Sequence, residues 1–189
     1  MTKSKKKQAA EEESWGSFFR DVLVMFTIFV AIYYVIFSFF LANEVVSGPS
    51  MQPTFEDGDR LIAVRKFTPK RNDIVIIKAP DEAKAMYIKR VIGLPGDTVQ
   101  SKNDVLYVNG KKIAEPYLNN KYYKADKAAG VNYTSNFKIK VPKGQYWVMG
   151  DHRDVSKDSR SFGPVKRSSI LSKVVLRYFP FTKISTSFY

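Results

Sequence analysis

From Val22 to Ala42 the chain is apolar without interruption and carries no charge. At about 1.5 Å of rise per residue, a helix of that length is about 31 Å long, against about 30 Å of hydrocarbon in a bilayer. No polar face recurs at helical spacing, so the run does not read as the inner side of a soluble helix. It also exceeds the apolar stretch of a cleavable export signal, about 7–15 residues, and Asn43-Glu44-Val45-Val46 follows with no small-x-small site. The pattern predicts a transmembrane helix over residues 18–42, behind a basic tail of residues 1–17.

After Ala42 the pattern breaks into short runs rich in Val and Ile, bounded by Gly, Pro, Asp or Asn. Arg60–Val64, Asp73–Ile77, Met86–Ile92, Val105–Val108, Phe137–Val141, Tyr146–Met149 and Val174–Phe179 read as strands. Asn109-Gly110, between Val108 and Lys111, marks a hairpin, because both turn positions tolerate positive φ. No later segment has a long 3.6-residue period. Residues 43–189 are therefore predicted to be a mainly antiparallel β ectodomain. The Tyr-, Asn- and Lys-rich stretch from about 103 to 140 reads as a β subdomain inserted into it.

Charge orients the span. Lys3, Lys5, Lys6, Lys7 and Arg20 precede or open it, whereas Asn43 to Thr54 contains no Lys or Arg. Lys and Arg, rather than net charge, set topology, so the N-terminus is placed in the cytoplasm and everything after Ala42 outside it. The net charge of +13 suits anionic headgroups or nucleic acid. Tyrosines interleaved with lysines over 103–140 could form a single-strand platform, but an extracytoplasmic position argues for a solvated β excursion and against nucleic acid. With no Cys and one His, the chain has no disulfide framework, redox pair or Cys-rich zinc site, and no metal or cofactor is expected.

Three segments carry candidate chemistry. In Ser47-Gly48-Pro49-Ser50-Met51-Gln52-Pro53-Thr54, two prolines stiffen the backbone around a hydroxyl. That suits a nucleophile, and equally a plain juxtamembrane linker. In Tyr87 to Asp97, alternation puts Lys89 with Tyr87 and Val91 on one largely apolar face and Arg90 with Ile88 and Ile92 on the other. A buried lysine either snorkels to water or loses its proton. An ordinary lysine, of pKa about 10.4, is neutral in about one molecule in 2,500 at pH 7, so a general base needs a fall of about 3 units. The only imidazole is His152, which leaves Lys89 or His152 as the base. Gly150 to Gly163 is dense in charge and hydroxyls; it reads as a solvated loop or as the shell that orients a buried amine.

Taken in order behind the anchor, these segments resemble bacterial type I signal peptidases, of the single-span Gram-positive-like kind. Ser50-Met51-Gln52-Pro53-Thr54 is similar to their nucleophile motif, Tyr87 to Asp97 to their lysine motif, and Gly150 to Gly163 to their Gly-Asp-Asn-Arg…Ser-x-Asp-Ser-Arg motif. Asp57-Gly58-Asp59 and Asn72-Asp73-Ile74-Val75 also match, so the likeness runs from about Val46 to Pro180.

The resemblance implies an antiparallel β fold and a serine endopeptidase with a Ser–Lys dyad. Ser50 would be the nucleophile, with its N–H in the oxyanion hole, and Lys89 the general base. Ser156 would hydrogen-bond the lysine amine, and Asp158 and Arg160 would form a structural ion pair with Asp151 nearby. The implied substrates are exported preproteins cut after small, Ala-x-Ala-like residues, and the ectodomain's Lys and Arg would favour anionic headgroups. His152 stands where Asn is common. Gly48 stands where some members carry an oxyanion-hole serine, which leaves the second donor unassigned. Met51 and Phe55, with Tyr178-Phe179-Pro180-Phe181, are expected to add apolar membrane contact. Competing readings are a non-catalytic assembly factor for surface structures, a self-cleaving Ser–Lys protease, which would need a DNA-binding domain not visible here, and a protease using Ser50 with His152.

Overall fold

A computed structural model describes residues 2–188, with side chains from residue 15 onward. The chain divides between Phe40 and Leu41 into two units. The first is one helix, α1 (Thr2–Phe39), whose segment Trp15–Phe39 is long and apolar enough to cross a membrane. Its large side chains, Leu23, Met25 and Phe29 among them, are exposed all round, which suits lipid and not water.

The second unit contains β1 (Leu41–Val45), β2 (Arg60–Val64), β3 (Ile74–Lys78), β4 (Met86–Gly93), β5 (Thr98–Lys102), β6 (Val105–Val108) and β7 (Lys111–Ile113). After these come α2 (Lys121–Ala128), β8 (Phe137–Lys140), β9 (Gln145–Met149), α3 (Ser159–Phe162), β10 (Val165–Lys166) and β11 (Ile170–Phe179). A seven-stranded sheet runs β1-β2-β11-β3-β4-β9-β10 and a four-stranded one β7-β6-β5-β8, with every pairing antiparallel. The fold is mainly antiparallel β with one N-terminal apolar helix, as the patterning requires.

The helix ends at Phe39, and Leu41 and Ala42 belong to β1, where Leu41 faces Val64 and Ala42 faces Ala63. Hydropathy cannot distinguish these positions from the span, because Ala42 is buried by sheet pairing instead of lipid. The hairpin forms as its sequence demands: Asn109 has φ 52 and Gly110 φ 78, and Val108 pairs with Lys111. The second sheet starts at Thr98, five residues before the expected insertion, and α2 lies in the chain between its strands β7 and β8. That helix buries no residue, so it leaves no apolar period to read; Asn120 caps it by accepting from the N–H groups of Tyr122 and Tyr123.

One core packs Val46, Met51, Phe55, Leu61, Ile74, Ile76, Ile88 and Val174 together. Met51 and Phe55 are fully buried, which corrects the expectation that they touch the membrane. Each contributes about 1.5–3 kcal/mol to the core and fastens the segment between them. Phe179 and Phe181 do remain exposed. A second core, around Val75, Val91 and Val148, backs the other face of β3 and β4, and a third, around Ile92, Val99 and Trp147, joins the two sheets.

Candidate active site

Ser50 sits in the loop after β1, and backbone bonds brace that loop. Val46 donates to the Asp59 carbonyl at 2.9 Å, Gly58 to that of Val46 at 3.0 Å, and Gly48 to Asp57 Oδ1 at 2.8 Å. Gly48 has φ +84, a conformation that disfavours any side chain, so a serine at this position would be strained. Beyond it, Gln52 N–H closes a turn onto the Pro49 carbonyl, and Met51 drops into the core. Among the described residues, none accepts from the Ser50 N–H, so it is available to a ligand.

Lys89 lies in β4, between β3 and β9, with 2% of its surface exposed. Its Nζ is 3.0 Å from Ser50 Oγ and donates to the Ile88 carbonyl at 2.9 Å. Burial lowers its pKa to about 8, opposed by the charges of Asp158, Asp151 and Asp81. A strand lysine between apolar neighbours cannot reach bulk water, and desolvation therefore acts on the ammonium.

His152 is engaged elsewhere. Its Nδ1 lies 3.2 Å from the Pro49 carbonyl, its Nε2 lies 3.3 Å from Asp154 Oδ1, and its ring stacks on Tyr122 at 3.9 Å. Its N–H holds the Ser50 carbonyl at 3.1 Å. The group beside Ser50 Oγ is Lys89.

The 150–163 segment forms a buried electrostatic frame. Asp158 receives Arg160 through Nε at 2.9 Å and Nη2 at 2.8 Å, accepts Gly150 N–H at 3.0 Å and caps α3 through Arg160 N–H. Asp151, fully buried, binds Arg90 through Nε at 2.8 Å and Nη2 at 2.6 Å and accepts Thr54 Oγ1 at 2.6 Å. The chain thereby ties the Ser50 loop to the strand that carries Lys89. Arg90 carried no role in the sequence reading; its partner lies 61 residues away, a pairing that one sequence cannot signal.

Ser156 is buried, but its Oγ has no hydrogen-bond partner among the described residues; the bond to the Lys89 amine implied by resemblance is not formed. The hydroxyl is nonetheless close by. A Cβ at Gly150 would collide with both Ser156 Oγ and the Ser50 carbonyl oxygen, so only glycine allows these segments to approach.

Ser50 and Lys89 open into a cleft of about 200 Å³, lined by β1, β4 and the loop after β1. Val45, Val46, Leu61, Ile76 and Ile88 give it apolar walls, and Glu44 supplies a carboxylate that the sequence reading missed. The one available signal was a lone charge in an otherwise apolar or neutral stretch from Leu41 to Val46. A cleft of this volume with apolar walls, beside a hydroxyl and a neutralisable amine, can seat small side chains and deliver an acyl carbon to the hydroxyl.

The family model described as signal peptidase, peptidase S26, matches residues 19–179. The chain is 45% identical over 153 residues to signal peptidase I of Bacillus licheniformis, covering 78% of this chain and 81% of that one. It is 44% identical over 186 residues to signal peptidase I of Bacillus amyloliquefaciens, covering 95% and 91%. Against signal peptidase IB of Staphylococcus aureus it is 36% identical over 181 residues, covering 88% and 92%. A crystal structure of a signal peptidase I from Enterococcus faecalis is similar with a TM-score of 0.52 and 38% identity, over 57% of this chain and 97% of that one.

Proposed function

Since the chain belongs to the S26 signal peptidases, we propose that it is a membrane-anchored serine endopeptidase that removes signal peptides from exported preproteins with a Ser50–Lys89 dyad. The observation that carries this reading is the 3.0 Å approach of a buried Lys89 Nζ, of pKa about 8, to Ser50 Oγ.

In the neutral amine, the Nζ lone pair takes the proton of the Ser50 hydroxyl as Oγ bonds to the scissile carbonyl carbon. The carbonyl oxygen gains the negative charge and is met by the unoccupied Ser50 N–H. Collapse breaks the C–N bond, Lys89 returns its proton to the leaving amine, and an acyl-enzyme remains. Water, deprotonated by Lys89, then releases the signal peptide and restores the hydroxyl. Asp158–Arg160 and Arg90–Asp151 hold the two reacting segments in register.

The apolar walls and the volume of about 200 Å³ support cleavage after small residues. The Lys and Arg before the span support a cytoplasmic N-terminus and an extracytoplasmic β domain, where anionic headgroups would attract its surplus positive charge. The test is cleavage of a labelled preprotein by the detergent-solubilised full chain and by Ser50→Ala and Lys89→Ala, each checked for folding. Wild type should cut after a small residue while both variants stay folded and inert. Normal cutting by Lys89→Ala would remove the lysine from the mechanism.

A further inference from the structure

We propose that Glu44 is a specificity-determining residue of the cleft. Its carboxylate favours preprotein segments that bring a lysine or arginine into the cleft and disfavours those that bring an aspartate or glutamate. This inference rests on the reading of the cleft as the preprotein site.

The argument starts from register. In β1, Ala42 and Glu44 project to one side of the sheet, and Ala42 is buried, as is Val46 just past the strand end. Glu44 lies opposite Leu61, a fully buried core residue that also lines the cleft. A glutamate therefore occupies a position that the pleat reserves for an apolar side chain. It stays half-buried because the cleft opens beside it.

The carboxylate has no direct partner. No described residue donates a hydrogen bond to it or forms an ion pair with it. Arg65, the cation that acts on it, is exposed and donates its Nε to the Leu41 carbonyl at 2.9 Å. Burial pushes the Glu44 carboxyl above its usual range, and Arg65 only partly offsets this. A half-desolvated, unpaired carboxylate opposes the packing of β1, so the fold does not account for it. In the wall of a substrate cleft, such a group complements a cation and repels an anion.

The experiment uses the detergent-solubilised full chain and a preprotein with an uncharged cleavage region. A single Lys or Glu is walked through three residues on either side of the scissile bond. At one position, the ratio of kcat/KM for Lys over Glu should reach about tenfold in wild type, fall to about one in Glu44→Gln and invert in Glu44→Lys. The ratio is read within each enzyme, so a general loss of rate in a variant does not affect it. A wild type that shows no such position, or a ratio unchanged in Glu44→Gln, overturns the inference and leaves the peptidase reading intact. A wild type that cuts none of the set, the uncharged parent included, overturns the peptidase reading and this inference with it.

Discussion

Lys89→Met should abolish activity and make the β domain more stable at neutral pH. In the folded chain the amine is 2% exposed and its pKa falls from 10.5 to about 8 because burial penalises the ammonium. Below pH 8 both the folded and the unfolded chain carry the proton, and the folded state bears the full penalty. As pH rises from 8 towards 10.5 the folded chain releases its proton first and the penalty disappears. About 2.5 units at about 1.36 kcal/mol each amounts to roughly 3 kcal/mol at pH 7. Methionine fills similar volume without charge, so it should recover up to that amount at pH 7 and almost none at pH 10.5. The assay is denaturant unfolding of the solubilised full chain, followed by Trp147, which is buried between the sheets, in a Trp15→Phe background. A variant that is less stable than wild type at pH 7, or whose advantage does not shrink with rising pH, would refute the claim that Lys89 is held against its own solvation.

Two further outcomes follow from the same geometry. The kcat/KM of wild type should rise about tenfold per pH unit below pH 8 and level off above it, since the base must be neutral; a profile already flat at pH 6 would exclude an amine of that pKa. Asp151→Asn leaves Arg90 charged and buried without its carboxylate, which should cost about 3–5 kcal/mol and lower Tm, together with activity, in thermal unfolding.

Much of the architecture was legible because it rests on local patterns. The span, seven of the strands and the Asn109-Gly110 hairpin all follow from hydropathy and turn chemistry. Ser50 and Lys89 were legible only as members of an ordered set of motifs; neither stands out by spacing alone. What escaped depends on distant partners. Met51 and Phe55 look like exposed apolar residues beside a membrane until Leu61 and Val174 close over them. Leu41 and Ala42 extend an apolar run, and only pairing with β2 takes them out of it. The polar strand Thr98–Lys102 and α2, which has no fully buried residue, have no apolar signature strong enough to read. Ser156 was assigned a partner by resemblance, and the folded chain leaves its hydroxyl waiting.

The burial of Met51 and Phe55 has a consequence for how this protein can fail. Ser50 adjoins one core anchor and lies a short turn from the other, and the Phe55 N–H is bonded to the Met51 carbonyl at 3.0 Å. A serine held in this way has no separate opening equilibrium of the kind that lets many catalytic loops fray while the scaffold stands. Local disorder at the serine requires withdrawing core residues, so inactivation and cooperative unfolding become a single event. Any lesion that loosens Leu61 or Val174 is transmitted to the hydroxyl directly, without an intervening hinge to absorb it.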